Sequence, residues 1–314
     1  MRRICLIALV CLCASASNTW MGTAPVYVYF GFTGFGQPGG PNLFTTATGT
    51  TGLEWRNAGG QWGDYLSEPA SGTRTPQQIN APDAIFIGST LYLHDATAND
   101  QALVLVPWII GQANATTGQV TTIKAVDWTA EISGVTTCYA GGWVRNSDGS
   151  VYQADGNVHL HVPCSIAGNG AFKIYETHAS PADLTVWSAP VDVALNQTDT
   201  IDPQAYLIGS TFYLWCKADL TGYIGLATAT AAAGPFTMVK TGDWAGWGAG
   251  VEGPFMFRPP SGTGWYLIFE AYASTHLMYY STCDTDNPTA CTWTAKQLWS
   301  QDMIYRHGAV VRFN

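Results

Sequence analysis

The sequence predicts an all-β chain built from repeating four-stranded units, a β-propeller, and three observations predict it. Charged residues are only 11% of the 314 positions, whereas aromatics reach 13% and glycine fills 34, a profile that suits β-rich proteins better than helical ones. No segment keeps apolar residues at helical spacing over three turns, and short β-rich runs bounded by Gly, Pro, Asn and Asp recur throughout. The chain also resembles itself: PDAIFIGSTLYLHDA (Pro82 to Ala96) and PQAYLIGSTFYLWCKA (Pro203 to Ala218) share a strand, a Gly-Ser-Thr turn and a second strand in Tyr-Leu.

From the N-terminus, residues 1–16 read as an export signal. Arg2 and Arg3 precede an apolar run from Ile4 to Leu12, and Ala14-Ser15-Ala16 supplies the small residues of a cleavage site, which puts the start of the mature chain near Ser17. Residues 17–314 are then expected to form one domain, monomeric and secreted to the extracellular space or periplasm. No other apolar run approaches the roughly 18 residues of a membrane span. Five cysteines remain beyond the signal, in a setting where disulfides persist. Cys283 and Cys291 flank an Asn-Pro turn and are expected to pair, as are Cys138 and Cys164, while Cys216 in FYLWC reads as a buried core thiol. A net charge of −9 argues against nucleic acid or an anionic membrane as partner. Many Trp and Tyr rings with few charges suit a neutral, hydroxyl-rich ligand such as a carbohydrate.

The repeat can be followed along the chain. GPFMFRPPSGTGWYLIFEAY carries the same frame with a longer turn, and GGWVRNSDGSVYQADGNVHLHVPC is a looser copy. After each copy a third strand is expected, then a fourth ending in tryptophan, at Trp128, Trp187, Trp244 and Trp293. First strands are expected to begin near Asp83, Gly142, Asp202, Glu252 and His307. The last runs into the C-terminus without a second strand, while PVYVYFGF, NLFTTATG and GLEW near the N-terminus lack a first. Joining the two ends completes a fifth blade and hides the sheet edges that an open ring would expose. The sequence thus predicts a five-bladed propeller closed by N-terminal strands and the C-terminal strand; a β-sandwich is the alternative.

In a propeller the leading residues of first strands crowd one end of a central channel, so Asp83, Asp202, Glu252 and His307 are expected to converge. Like charges in a shared, partly dry pocket oppose folding, which makes such a cluster a functional candidate. The segments IDPQAYLIGSTFYLW, VEGPFMF and RHGAVV resemble the Asp-Pro, Glu-Gly-Pro and His-Gly strand starts of glycoside hydrolase family 43, five-bladed propellers that cleave arabinose- and xylose-containing polysaccharides. ATAAAGPFT resembles that family's outer strand. The resemblance implies inversion by two carboxylates, one protonating the leaving oxygen and one activating water. On that likeness Glu252 is the acid, kept protonated by apolar surroundings, Asp202 orients it, and His307 lies near the channel floor, where the family often holds a cation. No cofactor is required on this reading, with Ca2+ in the channel as the one ion it would admit.

Blade order makes Asp83 the base, yet aligning the two Gly-Ser-Thr turns sets Ala81 rather than Asp83 opposite Asp202. Two residues along a strand keep the same face, so Asp83 can point into the channel about 6–7 Å further on; Asp95 and Asp64 are reserves. Trp143, Trp247 and Tyr305 are candidates to stack on sugar rings. Each candidate also has a plainer reading: a salt bridge from Glu252 to Arg258, a turn cap at Asp202, a core histidine at His307, packing for the aromatics. The histidines show no metal-ligand spacing supported by carboxylates, although HLH puts His159 and His161 on one strand face. A fructan-cleaving propeller fits less well, since an early Asn-Asp-Pro is missing and Glu-Gly-Pro stands in place of Glu-Cys. A carbohydrate-binding propeller without turnover is the rival from another class.

Overall fold

The computed structural model describes residues 26–33, 43–49, 54–57, 80–88, 90–96, 108–113, 120–139, 141–301 and 306–313; the segment read as an export signal, Asp64 and Tyr305 lie outside them. Among the described residues helix is confined to α1 (Trp128–Glu131), capped by the Asp127 carboxylate, which accepts from the Thr129 N–H at 3.1 Å. In chain order the strands are β1 (Val26–Thr33), β2 (Leu43–Gly49), β3 (Glu54–Asn57), β4 (Asn80–Ile87), β5 (Thr90–Ala96), β6 (Trp108–Ala113), β7 (Val120–Val126), β8 (Val135–Cys138), β9 (Gly142–Asn146), β10 (Val158–Ile166), β11 (Phe172–Ser180) and β12 (Asp183–Trp187). They continue as β13 (Val191–Asp192), β14 (Thr200–Ile208), β15 (Thr211–Ala218), β16 (Tyr223–Ala229), β17 (Thr237–Lys240), β18 (Glu252–Phe257), β19 (Trp265–Glu270), β20 (Met278–Cys283), β21 (Gln297–Leu298), β22 (Ser300–Gln301) and β23 (Arg306–Phe313).

Strands β4 to β7 form one antiparallel sheet and β18 to β21 another, each in chain order. Strands β9 to β12 and β14 to β17 also run in chain order, and parallel pairing of β9 with β14 joins them into one larger sheet. In the remaining sheet β1 lies between β2 and β23, so the two ends of the chain pair as the sequence suggested. The outer strands differ from expectation. Only β12 ends at its tryptophan; β7 and β17 stop short of Trp128 and Trp244, and the fourth strand of the last sheet is β21, beyond Trp293. These tryptophans leave the ladder to pack between sheets, where Trp128 is 1% exposed.

Strands β4, β14, β18 and β23 begin alike. In each, one extra residue interrupts the register with the neighbouring strand: between Asn80 and Asp83, Ile201 and Gln204, Glu252 and Phe255, and Arg306 and Ala309. Proline follows the bulged residue in the first three, at Pro82, Pro203 and Pro254. A proline has no N–H to give the ladder, and a bulge is where that loss is tolerated. The residue before each proline adopts positive φ, 45° at Ala81, 53° at Asp202 and 60° at Gly253. Only glycine takes this conformation without strain; at the other two the surrounding structure must impose it.

Among the described residues, three apolar clusters fill the space between the sheets. One gathers Trp128, Trp143, Leu160 and Val162, a second Trp215, Trp247, Trp265 and Trp293, and a third Val144, Ile174, Leu214 and Phe236. Disulfides join Cys138 to Cys164 across β8 and β10, and Cys283 to Cys291. Cys216 is a buried free thiol, its pKa pushed up to about 12 by burial.

Candidate functional site

The bulges put residues of like rank from different sheets side by side. Two positions beyond the bulged residue stand Asp83, Gln204 and Phe255, and all three meet Arg145 of β9. The guanidinium donates two bonds to Asp83, one of them at 3.0 Å, and a third to the Gln204 amide oxygen at 3.1 Å, with the Phe255 ring centre 4.8 Å away. Asp83 also accepts from the Trp143 N–H at 2.7 Å and the Gln204 amide at 3.3 Å. Arg145 donates further to the carbonyls of Trp143 and Ala84. With Asp83 and Arg145 both 1% exposed, this is a sealed ion pair whose hydrogen bonds are met from three strands, with the Phe255 ring of a fourth packed on the guanidinium. The crossing is tight: a Cβ on Gly142 would overlap the carbonyl oxygen of Pro203.

One step toward the strand starts the character changes. Glu252 and Glu270 are direct cross-strand partners, which sets two carboxylates face to face. Arg306 answers both, its Nη2 2.9 Å from Glu252 Oε1 and its Nε 2.7 Å from Glu270 Oε1. The other Glu252 oxygen lies 2.9 Å from Lys217 Nζ, which also reaches Asp219 at 3.1 Å and sits over the Tyr272 ring at 4.2 Å. Burial alone would lower the Lys217 pKa, but the charges of Glu252, Asp202 and Asp219 outweigh it and raise the value. Arg306 is raised in the same way, against its burial, by Glu270 and Glu252. Asp202, half-buried, accepts the Gly253 N–H at 3.0 Å. The bulged residue of one sheet is thereby tied to the residue following Glu252 in the next.

Asp202 and Glu252 are therefore brought together, both acting on Lys217, while Asp83 lies in the sealed layer beneath. The apolar setting expected for Glu252 is not found, because two cations hold its oxygens, and Arg258 pairs with Asp286 instead. Trp143 and Trp247 are core residues at 0% and 3% exposure, not sugar-stacking platforms. Trp143 packs against His94 and Trp187, and Trp247 against Trp244, Phe269 and Trp293. Tyr305 lies outside the described residues, and so do the side chains of His307, whose backbone belongs to β23, and Asp95 in β5. Sequence reasoning missed Lys217, Glu270, Arg306 and Arg145. Lys217 was visible as the one charge in the apolar strand FYLWCKA, and Glu270 as the acidic end of WYLIFE.

No protein-family model matches the sequence, and no curated protein sequence does. Solved structures match over most of the chain. An exo-β-1,3-galactanase from Clostridium thermocellum aligns with TM-score 0.58 at 12% identity, covering 90% of this chain and 62% of that one. A β-xylosidase aligns with TM-score 0.57 at 14% identity over 76% of this chain and 84% of that one. An enzyme of glycoside hydrolase family 43 from Xanthomonas citri aligns with TM-score 0.55 at 16% identity over 74% and 78%. The fold is that of the glycoside hydrolase family 43 propellers. Strands β14 and β18 begin within two residues of Asp202 and Glu252, where the repeats put them.

Proposed function

We propose that the chain is a secreted, inverting glycoside hydrolase acting on arabinose- or xylose-containing poly- or oligosaccharide, built as one five-bladed propeller. Two features support the blade count. Strands β23, β4, β9, β14 and β18 touch in that order and return to β23, and side chains from three of them converge with β9 on Arg145. Two disulfides fit an extracellular setting, and no helix among the described residues is long and apolar enough to cross a membrane.

The observation that carries the catalytic reading is the bond from the Gly253 N–H to Asp202, beside a Lys217 that both carboxylates share. Glu252 is the leaving-group acid on this reading, and Asp202 holds the start of its strand and the local charge. A proton donor needs an oxygen facing the sugar, so either the Lys217 or the Arg306 contact has to yield to the glycosidic oxygen. On this reading Asp83 is a structural partner of Arg145 rather than the base, which its ion pairing in a buried layer supports. The base then falls to the segment before β4 or the end of β5, where Asp64 and Asp95 stand. Ca2+ wants six to eight oxygen ligands. The carboxylates of Asp219, Glu252 and Glu270 are already bound to Lys217 and Arg306, a poor fit to such a shell.

A second reading, a carbohydrate-binding propeller without turnover, is favoured by the sealing of Asp83 and the ion pairing of Glu252. Incubation with arabinofuranosyl, xylosyl and galactosyl substrates, with the product anomer followed by NMR, separates the two. Turnover that falls at least about 100-fold in Glu252→Gln supports the acid role. Equal activity in that variant would sink the assignment, and binding without turnover on every substrate would establish the second reading.

A further inference from the structure

We propose that His159, Glu176 and His178 form a binding site for a divalent transition-metal ion, Zn2+ before others, on the β10–β11 hairpin. The register sets His159 directly opposite His178 and His161 opposite Glu176. Residues two apart on a strand share a face, so His-Leu-His and Glu-Thr-His bring four ligand-type side chains to one patch. His161 turns away, its Nε2 bonded to the Ala232 carbonyl at 2.8 Å. The other three converge. Glu176 Oε1 lies 2.6 Å from His159 Nδ1 and 3.1 Å from His178 Nδ1, and the three ligand atoms fall within 4.8 Å of one another.

Tetrahedral Zn2+ with bonds near 2.0–2.2 Å holds its ligands roughly 3.3 Å apart. Opening this triangle by less than an ångström on its short sides makes room for the ion. The neighbouring groups suit it. His159 Nε2 lies 2.9 Å from Asp155 Oδ2, so Nε2–H donates to that carboxylate and the Nδ1 lone pair is left for the metal. Ser188 Oγ lies 3.2 Å from His178 Nδ1, and an ion would displace that bond. Two imidazoles and one carboxylate, with no thiolate, select Zn2+, Cu2+ or Ni2+ over Ca2+ or Mg2+. The His159 and Glu176 side chains are buried at 5% and 1% exposure, whereas His178 and Asp155 stand at 40% and 44%, which gives an ion a way in and leaves a fourth position for water. Asp155 belongs to the connection from the end of β9 to the start of β10, the opposite end of the sheet from the strand starts that carry Asp202 and Glu252. The ion would fasten two strands and that connection together, independently of the proposed hydrolytic site.

The test uses the full chain, stripped with a chelator and titrated with ZnCl2 by calorimetry, with metal content measured after dialysis. One Zn2+ per chain and a higher Tm are expected, because an ion that binds the folded state alone stabilises it. His178→Ala, at a half-exposed position, should weaken binding at least ten-fold, and Asp155→Ala about ten-fold through loss of the bond that orients His159. Both variants should melt like the parent protein in chelator; should His178→Ala not fold, His178→Gln takes its place. Failure of the stripped protein to take up Zn2+, or uptake unchanged in both His178→Ala and Glu176→Gln, would overturn the proposal.

Discussion

Two layers at the strand starts use the same backbone device and reach opposite ends. In the lower layer Asp83 meets one arginine, both about 1% exposed, and Trp143, Ala84 and Gln204 supply further hydrogen bonds to that pair. In the upper layer Asp202, Asp219, Glu252 and Glu270 gather around Lys217 and Arg306, so carboxylates outnumber cations, and Asp202 and Asp219 are partly open to solvent. A balanced, dry pair is a structural joint; breaking it leaves a lone buried charge. An unbalanced, partly wet cluster keeps negative charge that a reaction can use. The difference teaches that a carboxylate at a strand start is not by itself a catalytic signal, and that the charge balance and dryness of the cluster around it decide.

The largest effect expected from that contrast is on Arg145. Arg145→Ala strands Asp83 and should cost about 3–5 kcal/mol in urea unfolding, with much of it recovered in Asp83→Asn/Arg145→Met. Glu252→Gln should instead reduce turnover at least about 100-fold while costing less stability than Arg145→Ala. If the two variants lost the same property, the layers would not differ in kind.

Acid should act on the supports of the lower layer. His94, packed against Trp143, and His161, paired with Gly142, are held neutral by burial, with pKa lowered to about 3 and about 4. Their unfolded-state value is 6.5, so the unfolded chain binds more protons below it. Stability is full above about pH 6.5 and falls with decreasing pH, by roughly 2 kcal/mol per histidine at pH 5. His159 works the other way. Burial would lower its pKa, but bonds to Glu176 and Asp155 raise it, so its contribution is present at low pH and is lost as pH rises through the raised value. Thermal melts between pH 4 and 8 should therefore show a net loss toward acid, two groups against one. The smallest effect marks the floor: Asp192→Asn removes a solvent-exposed pair with Lys173 and should change stability by no more than about 0.5 kcal/mol.

Much of the fold was legible because strands announce themselves locally. The Gly-Ser-Thr turns fixed β4–β5 and β14–β15, and the first strands begin within three residues of where the repeats put them. Both cysteine pairings were legible for the same reason, since each joins neighbouring strands or flanks a turn. Charge partners were not. Arg145 lies 62 residues from Asp83, and Arg306 lies 54 from Glu252. Nothing in a period-2 pattern says which strands will face across a channel. Tryptophans misled for another reason: Trp143 and Trp247 sit near strand starts in sequence, but a ring that fills the space between sheets and one that stacks on a sugar look the same until packing is known.

The repeated bulge behaves as a socket that accepts different plugs. Ala81, Asp202 and Gly253 occupy one backbone conformation, each before a proline, so one strand start already carries three different side chains. Ala81→Asp would graft a second carboxylate at the rank of Asp202, two residues from the sealed Asp83. The scaffold is in this sense modular at the scale of a single residue, and its chemistry can be rewritten one sheet at a time.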